Sequence, residues 1–110
     1  MTKQHRRTWQ RHEQRIARAL GTERNGPTGT ATADVTTPWL SIECKSWRAL
    51  PSKVVAALEQ AEAAATPDQL ALAVLHQVGQ RSERDLVILR WSDFLAWHGD
   101  GRQPEGEDAE

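Results

Sequence analysis

Cysteine is scarce in this sequence, and long apolar segments are missing. The single cysteine excludes an internal disulfide, and the four histidines are too scattered to give the ligand spacing of a zinc site. The chain has no run of about 18 apolar residues, and its first residues, MTKQHRRTWQRHEQR, lack the apolar stretch of a secretory signal. These shortages predict a cytoplasmic protein without a membrane segment and without zinc chemistry.

The residues that are present fit one small domain. The 110 residues are 38% hydrophobic and 26% charged, which is enough for a single core but too little for two. The C-terminal segment DGRQPEGEDAE combines proline, glycine and charge with one apolar residue, Ala109, a composition typical of disorder. We therefore predict one domain over residues 1–98 and a disordered acidic tail over residues 99–110.

The net charge of −1 conceals an uneven distribution. Residues 1–24 contain seven lysines or arginines against two glutamates, whereas residues 99–110 contain five acidic residues against one arginine. A basic segment attracts phosphate backbones, because each cation that meets a phosphate releases condensed counterions. DNA is therefore a candidate partner, although solvated arginines on a helix would give the same pattern.

An amphipathic helix is predicted from about Thr8 to Leu20. Trp9, Ile16 and Leu20 recur at helical spacing, and Gly21 is a stop signal. Glu13 falls inside this apolar stripe, so its carboxylate needs a partner. An ion pair with a neighbouring arginine is the favoured interpretation; a metal or nucleic-acid site is the other.

The remaining pattern predicts an α/β fold with a mixed sheet. The alanine-rich second helix, PSKVVAALEQAEAAAT, begins at Pro51 or Ser52, and the last helix, SDFLAWHG, has Ser92 as its N-cap and ends at Gly99. The apolar runs LALAVLH and DLVILR are typical of central strands covered on both faces. The predicted strands are residues 31–36, 39–45, 70–76 and 85–90.

The strand that contains LSIECKSW has two different faces. Period-two alternation places Glu43 and Lys45 on one face, and it places Cys44 on the other face as a core residue. If an even-length loop joins this strand to the preceding one, Asp34 lies opposite Ser41 or Glu43 and shares the Glu43 face. An odd-length loop would place Asp34 on the other face.

Asp34, Glu43 and Lys45 together form a candidate site for metal-dependent hydrolysis. Two carboxylates supply the oxygen ligands that Mg²⁺ prefers, and a lysine beside them can hold a water or stabilise negative charge on a phosphodiester. The alternative is a surface ion pair between Glu43 and Lys45, which the tripeptide alone favours.

Five segments of the chain, HEQRIARALG, TADV, IECKSW, ALEQAEAAA and DLVILRWSDFLAW, carry a family resemblance. In this order they resemble the PD-(D/E)XK nucleases, and more narrowly the Holliday-junction resolvase branch with its short phage and actinobacterial members. The resemblance runs from Arg7 to Trp97. It implies a restriction-endonuclease-like αβββαβ core, a mixed sheet flanked by helices, and a short C-terminal helix. It also implies a homodimer in the cytoplasm of a bacterial cell or a phage-infected host.

The resemblance implies roles for individual residues. Asp34, Glu43 and the backbone carbonyl of Cys44 would bind Mg²⁺ or Mn²⁺, and Lys45 would position or activate the attacking water. Glu13 would contact the metal site through water. Gln60 would extend from the second helix toward the active site, although a solvated Gln60 fits the helical pattern equally well.

Contacts to DNA are expected from basic and hydroxyl side chains. In the resolvase branch a basic residue and a serine-bearing loop occupy the place of Arg24 and GPTGT; here the serine is missing, and Thr28 and Thr30 are the nearest hydroxyls. The remaining candidates are Arg7, Arg11 and Lys53, of which Lys53 could equally be a solvated lysine. Trp39 and Trp47 could stack on unpaired bases or serve as packing residues.

The expected function is therefore a metal-dependent endonuclease acting on branched DNA such as a four-way junction. Two other functions remain open. One is a nuclease of the same fold that acts on other DNA structures in repair or phage DNA processing. The other is a catalytically silent DNA-binding module.

Overall fold

The computed structural model describes residues 3–26 and 33–98, with side chains from Thr8 onward. The chain is a mixed α/β protein with three helices and two small antiparallel sheets in this described part. The predicted acidic tail and most of the GPTGT loop lie outside it. The elements in chain order are α1 (Lys3–Ala19), β1 (Val35–Thr37), β2 (Leu40–Ile42), α2 (Ser52–Ala64), β3 (Ala73–Leu75), a one-turn helix (Ser82–Arg84), β4 (Leu86–Ile88) and α3 (Trp91–His98).

Helix α1 buries two of the three apolar residues of the predicted stripe, leaves Trp9 half-buried, and ends where glycine permits a left-handed backbone. Ile16 and Leu20 are buried together with Glu13. Gly21 has a φ of +70°; its N–H donates to the Arg18 carbonyl, and the Thr22 N–H donates to the Ala17 carbonyl. These two bonds form a Schellman cap, which satisfies carbonyls that the helix end leaves free.

Strands β1 and β2 form a tight hairpin in the first sheet. Val35 pairs with Ile42 and Thr37 with Leu40, so the turn contains only Pro38 and Trp39. The Thr37 hydroxyl accepts hydrogen bonds from the Trp39 and Leu40 N–H groups at 3.4 and 3.1 Å. Both strands are shorter than the sequence predicts.

The hairpin packs against α1 and gains a third partner from the chain before it. An isolated antiparallel bridge joins Arg24 to Val35, which is fully buried. Helix α1 is also in contact with β1. This packing forms the small core that supports the candidate site.

The second sheet joins β3 to β4 and contacts α2. Ala73 pairs with Ile88, and both Ala73 and Leu58 of α2 are buried. Arg90 donates to both carboxylate oxygens of Glu62, at 2.7 and 3.0 Å, and thereby fastens the end of β4 to α2. The hydrogen bond from Arg90 lowers the pKa of the Glu62 carboxyl.

The structure differs from the sequence prediction in three respects. The strands form two separate antiparallel pairs within the described residues, whereas one mixed sheet was expected. The second sheet is not covered on both faces, because Val74 and Val87, which pair across the strands, remain 57% and 54% exposed. Helix α3 begins at Trp91, and the Phe94 N–H bonds the Arg90 carbonyl. Ser92 is therefore inside the helix rather than its N-cap.

The described chain forms two compact units. The first contains the described residues up to Trp47 together with His98, and the second is Arg48–Trp97. Asp34, Glu43, Cys44 and Lys45 belong to the first unit, and Lys53 and Gln60 belong to the second. Among the described residues, no helix combines the length and apolar character needed to cross a membrane.

Candidate functional site

Asp34 and Glu43, the two candidate metal-binding carboxylates, lie one residue beyond the last paired residues of the β1–β2 hairpin, Val35 and Ile42. The two-residue turn is the even-length loop that a shared face requires. Two carboxylates that are nine positions apart in the sequence therefore flank the same end of the hairpin.

Asp34 is held on both sides by hydrogen bonds. Its Oδ2 atom accepts a bond of 2.8 Å from the Cys44 N–H. Its backbone carbonyl accepts a bond of 2.8 Å from the Asn25 N–H. The side chain is half-buried, so one face of the carboxylate meets the protein while the rest can reach solvent.

Glu43 and Lys45 are exposed and only loosely paired. Lys45 Nζ lies 4.0 Å from Glu43 Oε2, and the two side chains are 59% and 64% exposed for Glu43 and Lys45. An exposed pair at this separation contributes little to stability, since water screens it and both side chains lose freedom. Either group can therefore turn toward a ligand at small cost.

Cys44 is a core residue, as the alternation predicts. Its side chain is buried, and burial is the main cause that raises the pKa of the thiol. The negative charges of Asp34, Glu13 and Glu43 raise that pKa further. The thiol is thus unsuited to act as a nucleophile at neutral pH.

Glu13 has the arginine partner that was the favoured interpretation. The carboxylate is 1% exposed, and its Oε1 accepts a hydrogen bond of 3.0 Å from Arg24 Nη1. Its other oxygen, Oε2, is buried without a hydrogen-bond partner in the described structure. The expected water-mediated contact of Glu13 with a metal, and the expected contact of Arg24 with DNA, remain predictions.

The chemistry of the donor set fits a small hard cation. Asp34, Glu43 and the Cys44 carbonyl offer oxygen atoms only, as Mg²⁺ prefers, and Asp34 Oδ1 is not used in the bond to Cys44. No group of three or more histidine, cysteine, aspartate or glutamate side chains in the described residues is arranged to hold a metal. Two carboxylates would therefore need backbone and water oxygens to complete a coordination shell.

The other predicted site residues are exposed on helices or belong to the part of the chain that the structure does not describe. Lys53 and Gln60 are exposed on α2. The Arg7 side chain and all of Thr28 are outside the described part. Arg11 is exposed on α1.

Asn25 is a site residue that sequence reasoning missed. Its side-chain Nδ2 donates to the Ala33 carbonyl at 2.7 Å. The sequence carries a signal at this position, because asparagine before glycine marks a turn. The partners of Asn25 are eight or more residues away, and local sequence does not specify them.

The two tryptophans beside the site have different surroundings. Trp39 is half-buried, and its ring centroid lies 4.9 Å from that of His98. Trp47 is 64% exposed. Of the two, Trp47 has the surface that could stack on a base.

In comparisons with known proteins, no family model, no curated protein and no solved structure matches this chain.

Proposed function

We propose that this protein is a metal-dependent endodeoxyribonuclease that hydrolyses phosphodiester bonds in branched DNA, as the resolvase-like PD-(D/E)XK nucleases do. The observation that carries the proposal is the hydrogen bond of 2.8 Å from the Cys44 N–H to Asp34 Oδ2, which holds Asp34 beside the segment that contains Glu43 and Lys45. A surface ion pair alone would explain Glu43 and Lys45. It would not explain a third charged residue fixed beside them by a hydrogen bond to Cys44.

The order of elements supports the proposed restriction-endonuclease-like core. When the Arg24 bridge is counted as a rudimentary strand, the described chain runs helix, bridge, strand, strand, helix, strand, strand, helix. The first six of these elements follow the αβββαβ order of the proposed core.

The residues divide the chemical work as follows. Asp34 and Glu43, with the Cys44 carbonyl, would hold Mg²⁺ or Mn²⁺, which when bound supplies Lewis acidity and a water of lowered pKa. Lys45 orients the attacking water and offsets the negative charge that develops on the phosphate. The water oxygen forms a bond to phosphorus while a P–O ester bond breaks, and the leaving oxygen takes up a proton. The buried Cys44 thiol takes no part.

The surface of α1 supports DNA as the substrate. Arg11, Arg15 and Arg18 are exposed at spacings of four and three residues, so they line one side of the helix away from the buried stripe. Such a row matches the repeating charge of a phosphate backbone. Trp47 adds an exposed aromatic surface close in sequence to Lys45, which favours substrates with unpaired bases.

A homodimer belongs to the proposal. Resolution of a four-way junction needs two symmetric cuts, and each chain offers one Asp34–Glu43 pair. Twofold symmetry is also the commonest way in which identical chains associate.

The decisive experiment compares cleavage of a synthetic four-way junction with cleavage of a linear duplex of the same sequence, with and without Mg²⁺. We expect Mg²⁺-dependent cleavage of the junction that is lost in Asp34→Asn and Lys45→Ala. Asp68→Asn, which changes an exposed aspartate on the loop after α2, is the matched control.

Each of the other outcomes would indicate a different function for this protein or a different site. Equal cleavage of junction and duplex would remove the resolvase assignment and leave a nuclease; flaps, forks and single strands would then define its substrate. Salt-sensitive DNA binding without any cleavage would indicate the silent DNA-binding module. Cleavage that survives Asp34→Asn would eliminate the proposed site.

A further inference from the structure

Asn25 bonds to the chain on both sides of Asp34. Its backbone N–H donates to the Asp34 carbonyl at 2.8 Å. Its side-chain Nδ2 donates to the Ala33 carbonyl at 2.7 Å and approaches Thr36 Oγ1 at 3.4 Å. One asparagine therefore contacts the candidate metal ligand itself, the residue before it and the residue two positions after it.

The hydrogen bonds of Asn25 hold a part of the chain that the β1–β2 hairpin does not hold. The β1–β2 ladder begins at Val35, so Asp34 is outside the strand and has no ladder partner in β2. Asn25 holds the backbone of residues 33 and 34 from one side, while the Cys44 N–H holds Asp34 Oδ2 from the other. The position of the Asp34 carboxylate therefore depends on Asn25 and on the Cys44 N–H.

The side chain of Asn25 is not required by backbone conformation. Asparagine is often selected because it tolerates a positive φ, but in the described residues only glycines have a positive φ, and here it is Gly26, at +68°. The amide group itself is therefore the feature that the fold uses. Its short bond to Ala33 is the contact that an alanine would lose.

We propose that Asn25 is a positioning residue that holds Asp34 in place beside the segment that contains Glu43 and Lys45 and thereby sets the metal affinity of the site. The first half of this inference concerns the fold alone, and the second half rests on the proposed function. Loss of a group that orients a metal ligand typically reduces metal affinity about 10- to 100-fold.

The test measures two quantities in Asn25→Ala, Asn25→Asp and the wild type. The first is hydrogen exchange at the Cys44 amide, which reports whether Asp34 Oδ2 stays in place and needs neither metal nor DNA. The second is Mn²⁺ affinity, measured by calorimetry and by the Mn²⁺ concentration that gives half-maximal cleavage. Asn25→Asp retains the size of the side chain and removes the donor.

We expect Cys44 exchange to accelerate at least about 5-fold in both variants, with the exchange of core amides such as Leu58 unchanged. That pattern is the mark of a local opening. Mn²⁺ affinity should fall about 10-fold or more, with the KM for DNA unchanged. Thr36→Val, which removes only the acceptor at 3.4 Å, is the control and should behave as the wild type.

The outcomes separate this inference from the proposed function. Unchanged Cys44 exchange in both Asn25 variants would overturn the inference even if the wild type cleaves DNA. Equal acceleration of all amides would also overturn it, since it would show a general loss of stability. If the wild type neither binds Mn²⁺ nor cleaves DNA, the proposed function fails, and selective acceleration at Cys44 would still establish that Asn25 positions Asp34.

Discussion

Arg24 Nη1 lies 3.0 Å from Glu13 Oε1, and this ion pair ties the buried face of α1 to the residue that bridges β1. Glu13 is 1% exposed and the Arg24 side chain 22%, so the glutamate depends on the arginine for its charge balance. Burial of a carboxylate is tolerated only when a partner compensates the lost hydration. The pair therefore couples the position of α1 to that of the hairpin beneath the candidate site.

Removal of the arginine should destabilise the protein strongly. In Arg24→Met, Glu13 keeps its charge in a buried position without its partner, so the free energy of unfolding should fall by roughly 3 to 5 kcal/mol. Urea denaturation followed by circular dichroism measures the change. The double variant Glu13→Leu with Arg24→Met should recover much of the loss, because it removes both charges. A loss below about 1 kcal/mol in Arg24→Met would contradict a structural role for the pair.

Asp34→Asn should distinguish the role of the Asp34 charge in cleavage from the role of its hydrogen bond in the fold. The asparagine Oδ1 can still accept the Cys44 N–H bond that Asp34 Oδ2 accepts at 2.8 Å, so the melting temperature should stay close to that of the wild type. Mg²⁺-dependent cleavage should fall by more than about 100-fold, because loss of a group that only orients a metal ligand already costs about 10- to 100-fold. Differential scanning calorimetry and the junction assay measure the two effects. A large fall in melting temperature would show that the charge of Asp34 serves the fold.

Substitution of the basic row on α1 should weaken DNA binding in a salt-dependent way. If Arg11, Arg15 and Arg18 each meet a phosphate, changing all three to glutamine should reduce the slope of log K against log salt by about 2 to 3. The helix should persist, since arginine and glutamine have similar helix propensities. Fluorescence anisotropy with a labelled junction between low and moderate salt gives the slope. An unchanged slope would identify these arginines as solvated surface residues.

Trp47 should matter for branched DNA and not for duplex DNA. Loss of one stacked base costs roughly 1 to 3 kcal/mol, so Trp47→Ala should weaken junction binding by about 5- to 150-fold. Trp47→Phe should retain part of the affinity. Trp97, which is 68% exposed on α3, provides the matched alanine control. Equal losses on junction and linear duplex would rule out recognition of unpaired bases.

Acid should destabilise the fold through His12. Burial is the main cause that lowers the pKa of His12 from its ordinary 6.5, and the charge of Arg15 lowers it further while Glu13 opposes the shift. Arg15 Nη2 also lies 2.7 Å from His12 Nδ1, which suits a neutral imidazole. The unfolded chain therefore binds the proton more tightly, and the free energy of unfolding should fall as the pH drops below about 6.5.

His12→Gln tests that assignment. Glutamine does not titrate, so the variant should lose stability less steeply than the wild type between pH 7 and the lowered pKa of His12. Urea titrations at a series of pH values give both slopes. Identical slopes would assign the acid sensitivity to other groups.

The sequence was informative wherever a local period decided the structure. The spacing of Ile16 and Leu20 predicts the buried stripe of α1, and Gly21 ends that helix because a left-handed residue is needed there. Alternation predicts that Cys44 is buried and that Glu43 and Lys45 are exposed. It was misleading for LALAVLH and DLVILR, because an apolar run does not specify whether a second layer covers both faces.

By itself the sequence determined the helices and the alternation of the buried Cys44 with the exposed Glu43 and Lys45, because these follow from the repeat of the backbone. Tertiary structure decided that Asp34 lies beside this segment, since its place depended on a turn of two residues rather than one or three and on the bond from the Cys44 N–H. It also decided the partners of Glu13 and Asn25, which are 11 and eight or more residues away in the chain. Hydrogen bonds and ion pairs across such distances form only when packing brings the groups together, and no local pattern encodes them.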